Sequence, residues 1–245
     1  MNPSLKYTVQ IITSEEQLTG AFALRYRTYK KTYPNALKNL HHPFETDTYD
    51  KRSIHLGLYV EIGSEKILAG YSRLVIPRAY EEGFEEFYFR KHPLYFIHKV
   101  FNYGSENLPL INLLPDSSTK EIVKGFCCKQ ETSCKIYCET SRFIIDEEHR
   151  SLSLSAFFVS GMIAICHSLH IDYCFFQCDP HHVVFYKKFG IELFPGLENF
   201  DTYAFGKRVV IFGAVIKALQ LLQVPITVLS DQFVKEQRIT FQRAA

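Results

Sequence analysis

The most constraining feature of this sequence is a strand-like segment, 136–145, that carries ionisable groups in its middle. Its aromatic and β-branched residues are typical of a buried β-strand, yet Glu139, Ser141 and Arg142 interrupt it. An ion that is buried without a partner is costly, so the fold must bring counter-charges to this strand. The segment therefore predicts a polar site enclosed by an apolar shell.

Candidate partners for these charges occur earlier in the chain. A helix predicted from Ser14 towards Tyr33 begins with a capping box, and Arg25 lies within its apolar stripe. A predicted hairpin carries Arg73 on its second strand. The loop-like segment between helix and hairpin contains three spaced carboxylates, Glu45, Asp47 and Asp50. We therefore expect three arginines and three acids to converge, some as structural pairs and others in contact with a substrate.

The order of the predicted elements indicates an α/β fold. A meander is followed by strand, helix, strand, helix and strand, which describes a mixed sheet with helices on both faces. The main predicted elements are strands at 6–13, 54–62, 66–76, 136–145, 172–178 and 191–194 and a strongly apolar helix at 151–169. We expect one domain over 1–245, with an insertion of one or two helices at 78–133 and a C-terminal extension from about 213.

Composition excludes several classes of protein. Basic and acidic residues nearly balance at a formal net charge of +2, so no nucleic-acid partner is predicted. The N-terminus lacks the apolar core of a signal peptide, which favours a cytoplasmic location. Lys217 and Pro225 interrupt the longest apolar run, so no integral membrane segment is predicted, and peripheral contact is left open.

The seven cysteines do not predict a metal site. Cys127, Cys128, Cys134 and Cys138 cluster in sequence but lack the paired spacing of zinc ligands. The remaining cysteines lie in apolar contexts, where free thiols behave as small hydrophobic side chains. We expect no metal.

Two groups of motifs resemble a known family. The segment Phe185-Tyr186-Lys187-Lys188-Phe189-Gly190-Ile191 resembles the closing helix-to-strand motif of the GNAT acyltransferase fold. The ordered polar set resembles that of the acyl-homoserine-lactone synthases. Asp47-Thr48-Tyr49-Asp50 followed by His55, and Pro180-His181-His182 running into Phe185-Tyr186, look still more like the N-acyl amino acid synthases and exosortase-associated acyltransferases. The members of this polar set are Arg25, Tyr29, Glu45, Asp47, Asp50, Arg73, Glu139, Ser141 and Arg142.

The resemblance has two departures. The lactone synthases usually place a tryptophan after the first helix, whereas this chain has no tryptophan and Tyr33 is the nearest substitute. The pyrophosphate loop of CoA-dependent GNAT enzymes corresponds to 150–155, with serines at both glycine positions. Because a Cβ atom keeps backbone N–H groups away from phosphate oxygens, we expect weakened CoA binding.

The resemblance implies a GNAT-like three-layer α/β/α fold and an N-acyltransferase. A fatty acyl group would pass from the phosphopantetheine of an acyl-carrier protein, or less readily from acyl-CoA, to the amine of an amino acid or related metabolite, with no permanently bound cofactor. Glu139, with a pKa raised by burial, would accept the amine proton, and Tyr186 would protonate the leaving thiolate. The other members of the polar set would bind substrate.

Alternatives remain open at this point. Glu139 would only balance an arginine, and Tyr186 would only pack in the core, if the fold had no catalytic role. The chain would then be an acyl-binding or partner-docking module. A lactone synthase that uses S-adenosylmethionine is the nearest enzymatic alternative. The late basic residues Lys187, Lys188, Lys207 and Arg208 would either meet an acidic carrier protein or form an ordinary solvated face.

Overall fold

The computed structural model describes residues 5–37, 43–77, 108–202, 205–222 and 226–242. The strands are β1 (Lys6–Ile11), β2 (Ser53–Ile62), β3 (Glu65–Val75), β4 (Tyr137–Ile145), β5 (Tyr173–Cys178), β6 (Glu192–Leu193), β7 (Phe200–Thr202), β8 (Gly206–Ala214) and β9 (Arg238–Gln242). The α-helices are α1 (Glu15–Thr32), α2 (Pro109–Leu113), α3 (Ser117–Thr132), α4 (Leu152–Ser168), α5 (Val183–Lys187), α6 (Val215–Leu221) and α7 (Ile226–Glu236).

The strands form a mixed sheet. Their order in the described residues is β6-β8-β5-β4-β3-β2-β1-β9, and β7 pairs with β8. The β4–β5 pair is parallel, whereas the other neighbouring pairs are antiparallel. The charged strand β4 therefore lies near the middle of the sheet, where both of its faces can be covered.

Helices cover both faces of this sheet. Phe158 of α4 and Phe233 of α7 belong to one apolar cluster, together with Phe176 of β5. Val123 of α3 packs with Phe175 on the opposite face, because successive strand residues point to opposite sides. The α1 helix packs on Tyr71 and Ile144 in a third cluster. The predicted three-layer α/β/α arrangement is confirmed.

Local sequence signals account for several helix ends. The Ser14 side chain caps α1 by accepting the Gln17 N–H at 3.2 Å. The Ser151 side chain caps α4 in the same way. The segment predicted as a loop before the hairpin contains two short 3₁₀ helices, Pro34–Leu37 and Thr48–Arg52, and Asp47 and Asp50 form a capping box at the second.

The predicted insertion at 78–133 is only partly described. Residues 78–107 lie outside the described residues, so the Phe-rich part of this prediction stays untested. Residues 108–133 contain α2 and α3, and Leu110 and Ile111 of α2 are buried. The assignment of one domain with an insertion and a C-terminal extension remains a prediction.

Strand β4 is irregular in two places: it has a bulge against β3, and its pairing with β5 ends early. Tyr71 pairs with Ile144 and Arg73 with Ser141, so β4 carries one more residue than β3 over this interval. Arg142 lies within this bulge and has a φ of 60°, in the left-handed region. In addition, the β4–β5 pairing ends at Thr140 and Phe176, although both strands continue. The two strands therefore part beside the bulge.

Candidate active site

The predicted charges converge in one buried network. Arg25 projects from α1 with no exposed surface, and its guanidinium pairs with Glu45 and with Asp50, the latter at 2.6 Å. The rings of Phe22 and Tyr71 lie 5.2 and 5.4 Å from its Cζ atom. Arg25 thus ties the helix to the loop that carries the acids.

Arg73 connects Asp47 and Asp50 to β4. Its guanidinium binds Asp47 with two N–O distances of 2.6 and 2.8 Å, and Nη1 reaches Asp50 at 2.5 Å. Its Nε–H donates to the Ser141 hydroxyl at 2.9 Å. Because Arg73 is fully buried, the planar guanidinium acts as a rigid fork between loop and strand.

Arg142 completes the network from the bulge. Its Nη2 lies 2.9 Å from both Glu45 Oε1 and Asp47 Oδ2. Its side chain keeps 15% exposure, whereas those of Arg25 and Arg73 have none. Each of the three arginines therefore has acidic partners, and Arg142 is the one whose side chain is partly exposed to solvent.

The electrostatics keep the network ionised. Burial disfavours the charged form of Asp47, but Arg73 and Arg142 hold its pKa well below the usual value. Burial acts on Asp50 in the same direction, and Arg25 and Arg73 lower its pKa. Three positive and three negative groups thus neutralise one another inside the protein, which lowers the cost of burying each of them.

Two further polar side chains support the network that sequence analysis did not assign to it. His55 is fully buried, and its ring nitrogens contact the Tyr71 hydroxyl at 2.6 Å and the Asp50 carbonyl oxygen at 2.9 Å. Both residues lie in the predicted hairpin, but a strand pattern carries no information about their partners. Only the pairing of β2 with β3 brings them together.

Glu139 stands apart from these ion pairs. It is 2% exposed, and in the described parts of the chain no basic side chain lies within ion-pair distance of it. Its Oε2 instead accepts the backbone N–H of Leu110, in α2, at 2.7 Å. Burial raises the pKa of Glu139 to about 7, against the lowering effect of this hydrogen bond and of Arg73. A carboxyl group in this state can exchange a proton near neutral pH.

Tyr186 lies on the other face of the sheet. It projects from α5 into the cluster of Phe176, and the two rings are 5.6 Å apart between centroids. Burial raises the pKa of its phenol, so the hydroxyl stays protonated at neutral pH. The gap between β4 and β5 separates it from the Glu139 face. The two predicted catalytic residues are thus not in one cluster but flank the same opening in the sheet.

Tyr29 joins an aromatic group beside the ion network. It is 8% exposed, and its ring centroid lies 5.7 Å from that of Tyr33 and 6.0 Å from that of Phe205. The Arg142 Cζ atom lies 5.5 Å from the Tyr29 centroid. Tyr33, the residue nearest to the family tryptophan in position, therefore belongs to the wall of the site.

The late basic residues do not form one surface. Lys187, Lys188 and Lys207 are exposed, but Arg208 is buried. The expectation of a single exposed cluster is wrong for Arg208, because neighbouring residues of a strand point to opposite sides. Arg208 stacks on Tyr33, with its Cζ atom 5.0 Å from the ring centroid.

The structure also brings together three cysteines that sequence spacing did not connect. The Sγ atoms of Cys138, Cys166 and Cys174 lie within 4.8 Å of one another, in the core. This is the only group in the described segments that is compact enough to offer three ligand atoms to an ion. All three thiols are buried among apolar side chains, and the absence of a metal remains a prediction.

A membrane span is not found among the described helices. None of them combines the length and the apolar character that crossing a bilayer requires.

Sequence comparison gives a family match over part of the chain. The family model described as N-acyl amino acid synthase FeeM matches residues 121–213. This stretch contains Glu139, Arg142 and Tyr186, whereas Arg25 and Arg73 precede it. No curated protein matches the chain in sequence.

Solved structures share the fold over most of the chain. FeeM, an N-acyl amino acid synthase from uncultured soil microbes, has a TM-score of 0.55 at 14% identity and covers 89% of this chain and 96% of its own. BjaI, a CoA-dependent acyl-homoserine lactone synthase, has a TM-score of 0.52 at 14% identity, covering 93% and 90%. The acyl-homoserine lactone synthase LasI has a TM-score of 0.51 at 12% identity, covering 89% and 94%.

At 12–14% identity, the likeness to these solved structures shows a shared fold only. The family match is a likeness in sequence, and it covers the segment from α3 to β8. In sequence over 121–213 the chain resembles the N-acyl amino acid synthases, which supports acyltransferase activity. In fold over most of its length it resembles both these enzymes and the acyl-homoserine-lactone synthases, and its fold is GNAT-like.

Proposed function

We propose that this protein transfers a fatty acyl group from an acyl-carrier protein to the amine of an amino acid or an amino-acid-derived metabolite, giving an N-acyl amino acid. The observation that carries the proposal is Glu139, a buried carboxyl group with a pKa of about 7 that has no ionic partner among the residues that the structure describes. A structural carboxylate buried against this sheet would pair with an arginine, as Glu45, Asp47 and Asp50 of the segment before β2 do.

The reaction divides among three groups. Glu139 accepts a proton from the acceptor ammonium, directly or through water, and the freed amine attacks the thioester carbonyl carbon. Backbone N–H groups of the β4 bulge, around Arg142, stabilise the negative oxygen of the tetrahedral intermediate. Collapse of the intermediate breaks the carbon–sulfur bond, and the Tyr186 hydroxyl protonates the thiolate on the far side of the gap. The second proton that the amine nitrogen loses passes through water and restores the Tyr186 phenol, so the products are the amide and the free thiol.

The ion network positions this machinery. Arg25, Tyr29, Glu45, Asp50 and Arg73 are almost fully enclosed, which suits residues that hold the loop against β4. Arg142, Asp47 and Ser141 lie at the edge of the network, and we assign direct contact with the acceptor to these three. Of the residues that the sequence predicted to bind substrate, we thus keep only these three partly exposed ones as direct contacts of the acceptor.

The donor is proposed to be an acyl-carrier protein because the start of α4 is occupied by its own side chains. The Ser151 hydroxyl accepts the Leu154 N–H at 3.2 Å, and the Ser155 hydroxyl donates to the Ser151 carbonyl oxygen at 2.9 Å. A pyrophosphate would compete with these contacts for the helix N-terminus. The exposed Lys187 and Lys188 supply positive charge for an acidic carrier.

Acyl-homoserine-lactone synthesis is the second candidate. It is favoured by the fold of BjaI, a CoA-dependent acyl-homoserine lactone synthase solved with SAM and isopentyl-CoA, and by that of LasI. In that case S-adenosylmethionine would be the acceptor, acyl-CoA would be a competent donor, and a lactone would be released. A cytoplasmic location and contact with an acyl-carrier protein stay predictions under both candidates.

The deciding experiment offers the protein acyl-carrier protein or acyl-CoA as donor and the standard amino acids or S-adenosylmethionine as acceptor. We expect release of free carrier thiol and formation of N-acyl amino acids, detected by mass spectrometry. Glu139→Gln should abolish both while leaving the circular dichroism spectrum unchanged. Acyl-homoserine lactone as the product would select the second candidate. A wild-type protein that binds acyl-carrier protein without releasing thiol would instead be a binding module.

A further inference from the structure

Arg208 is a buried cation on the side of the sheet that carries Glu139. It belongs to β8 and is 8% exposed. Val210, two residues later, packs in one cluster with Phe175 and Tyr137, so the three share a face with Arg208 and Glu139. Only β5 separates β8 from β4 in the sheet. Arg208 therefore lies two strands from the proposed base, on the same face and four residues along β8 from Phe212, the position level with Glu139.

Arg208 forms no ion pair with the part of the chain that the structure describes. Within the described ranges, no acidic side chain lies within ion-pair distance of Arg208. The six charged groups of the ion network balance one another, so Arg208 adds a positive charge to that face of the sheet. Since an unpaired buried cation is costly, a negatively charged ligand at this position would be stabilised.

Aromatic rings hold the guanidinium in place without using its N–H groups. Its Cζ atom lies 5.0 Å from the Tyr33 centroid and 5.5 Å from the Phe205 centroid. Contacts of this kind orient the guanidinium plane and leave its edge free to donate two parallel hydrogen bonds. The Phe205 ring also lies 6.0 Å from the Cζ atom of Arg142. Arg208 and the exposed edge of the ion network thus adjoin the same ring.

We propose that Arg208 binds the carboxylate of the acceptor, so that the acceptor is a free amino acid and not an amine without an acidic group. The inference rests on the proposed function and adds the class of its acceptor. The phosphate of the donor's phosphopantetheine is the other anion that could bind Arg208. Its expected position, however, is the start of α4, which lies on the opposite face of the sheet. A planar carboxylate also matches the guanidinium edge.

The test compares the best amino-acid substrate with its own α-amide, which keeps the amine and loses the negative charge. Arg208→Met should raise the KM for the amino acid about 30-fold, which corresponds to about 2 kcal/mol at 1.4 kcal/mol per tenfold. The same variant should leave kcat/KM for the amide nearly unchanged, and Arg208→Lys should recover part of the loss. Lys207→Met, which removes the neighbouring exposed charge, should behave as the wild type.

Two kinetic results would overturn the assignment. The first is a wild type that acylates the amide as well as the amino acid. The second is an Arg208→Met variant that loses both substrates equally, because a purely structural arginine would have that effect. Calorimetric titration of the wild type and Arg208→Met with each standard amino acid reads the same site without turnover. Absence of acyl transfer to every amine would refute the proposed function, whereas binding of amino acids that is unaffected by Arg208→Met would refute this inference.

Discussion

Replacing Glu139 by glutamine should make the protein inactive and, above neutral pH, more stable. The carboxyl group is buried, and burial raises its pKa from the ordinary 4.5 to about 7. At 1.36 kcal/mol per pKa unit, this difference corresponds to about 3 kcal/mol. A glutamine of the same shape keeps an acceptor for the Leu110 N–H but never ionises.

Proton binding determines whether the free energy of unfolding rises or falls with pH. Between pH 4.5 and about 7 the folded state holds the Glu139 proton more tightly than the unfolded chain, so the free energy of unfolding falls as the pH rises. Below 4.5 both states are protonated and the glutamine has no advantage from this source. Above about 7 the wild type carries the full cost of a buried carboxylate. The variant's advantage should therefore grow by about 3 kcal/mol across this interval.

Urea denaturation at a series of pH values measures this difference. Circular dichroism is the suitable probe because the chain has no tryptophan. Glu121→Gln is the matched control, since Glu121 is exposed and pairs with Lys124 on the surface of α3. A stability difference between wild type and Glu139→Gln that stays constant within about 0.5 kcal/mol from pH 5 to 8 would refute the claim that burial raises the pKa of Glu139.

Three further predictions concern the network, the leaving group and the packing of the sheet. Arg73→Met should lower the free energy of unfolding by about 3–5 kcal/mol, because it leaves Asp50 and Asp47 inside the protein with too few counter-charges. A urea midpoint equal to that of the wild type would contradict this. Tyr186→Phe should lower kcat with little effect on the donor KM, and an active variant with unchanged kcat in single-turnover assays would exclude the phenol as the acid. Gly70→Ala should destabilise the sheet by about 1–3 kcal/mol, since its Cβ would stand 2.8 Å from the Ile144 carbonyl oxygen; thermal melting at the wild-type temperature would show that the backbone yields.

Much of the fold was accessible from local sequence signals. The alternation of residues 54–62 and 66–76 predicted the β2–β3 hairpin, and Ser14 predicted the start of α1. Such signals succeed because strand alternation and helix capping depend on residues close together in the chain. The two-residue strand β6 was predicted to be longer, because its length depends on what β8 offers for pairing.

The candidate site was accessible only in part. The presence of charges in an apolar strand required partners, and a buried network of Arg25, Arg73 and Arg142 with acids is present. The sequence did not reveal that Glu139 would remain outside this network. That outcome depends on α2, which brings the Leu110 N–H to the carboxylate from the segment 78–133, where the sequence predicted one or two helices but not their positions.

The sequence by itself determined that this chain must build a mixed sheet around a shielded cluster of charges, because burial of the ions in 136–145 is affordable only with counter-charges. Tertiary structure alone decided how those charges are divided. It paired the network acids with arginines, left Glu139 with a backbone amide and turned Arg208 inward while Lys207 faces water. The physical reason is that residue type sets the cost of burying a group, whereas strand register and long-range packing set which partner offsets that cost.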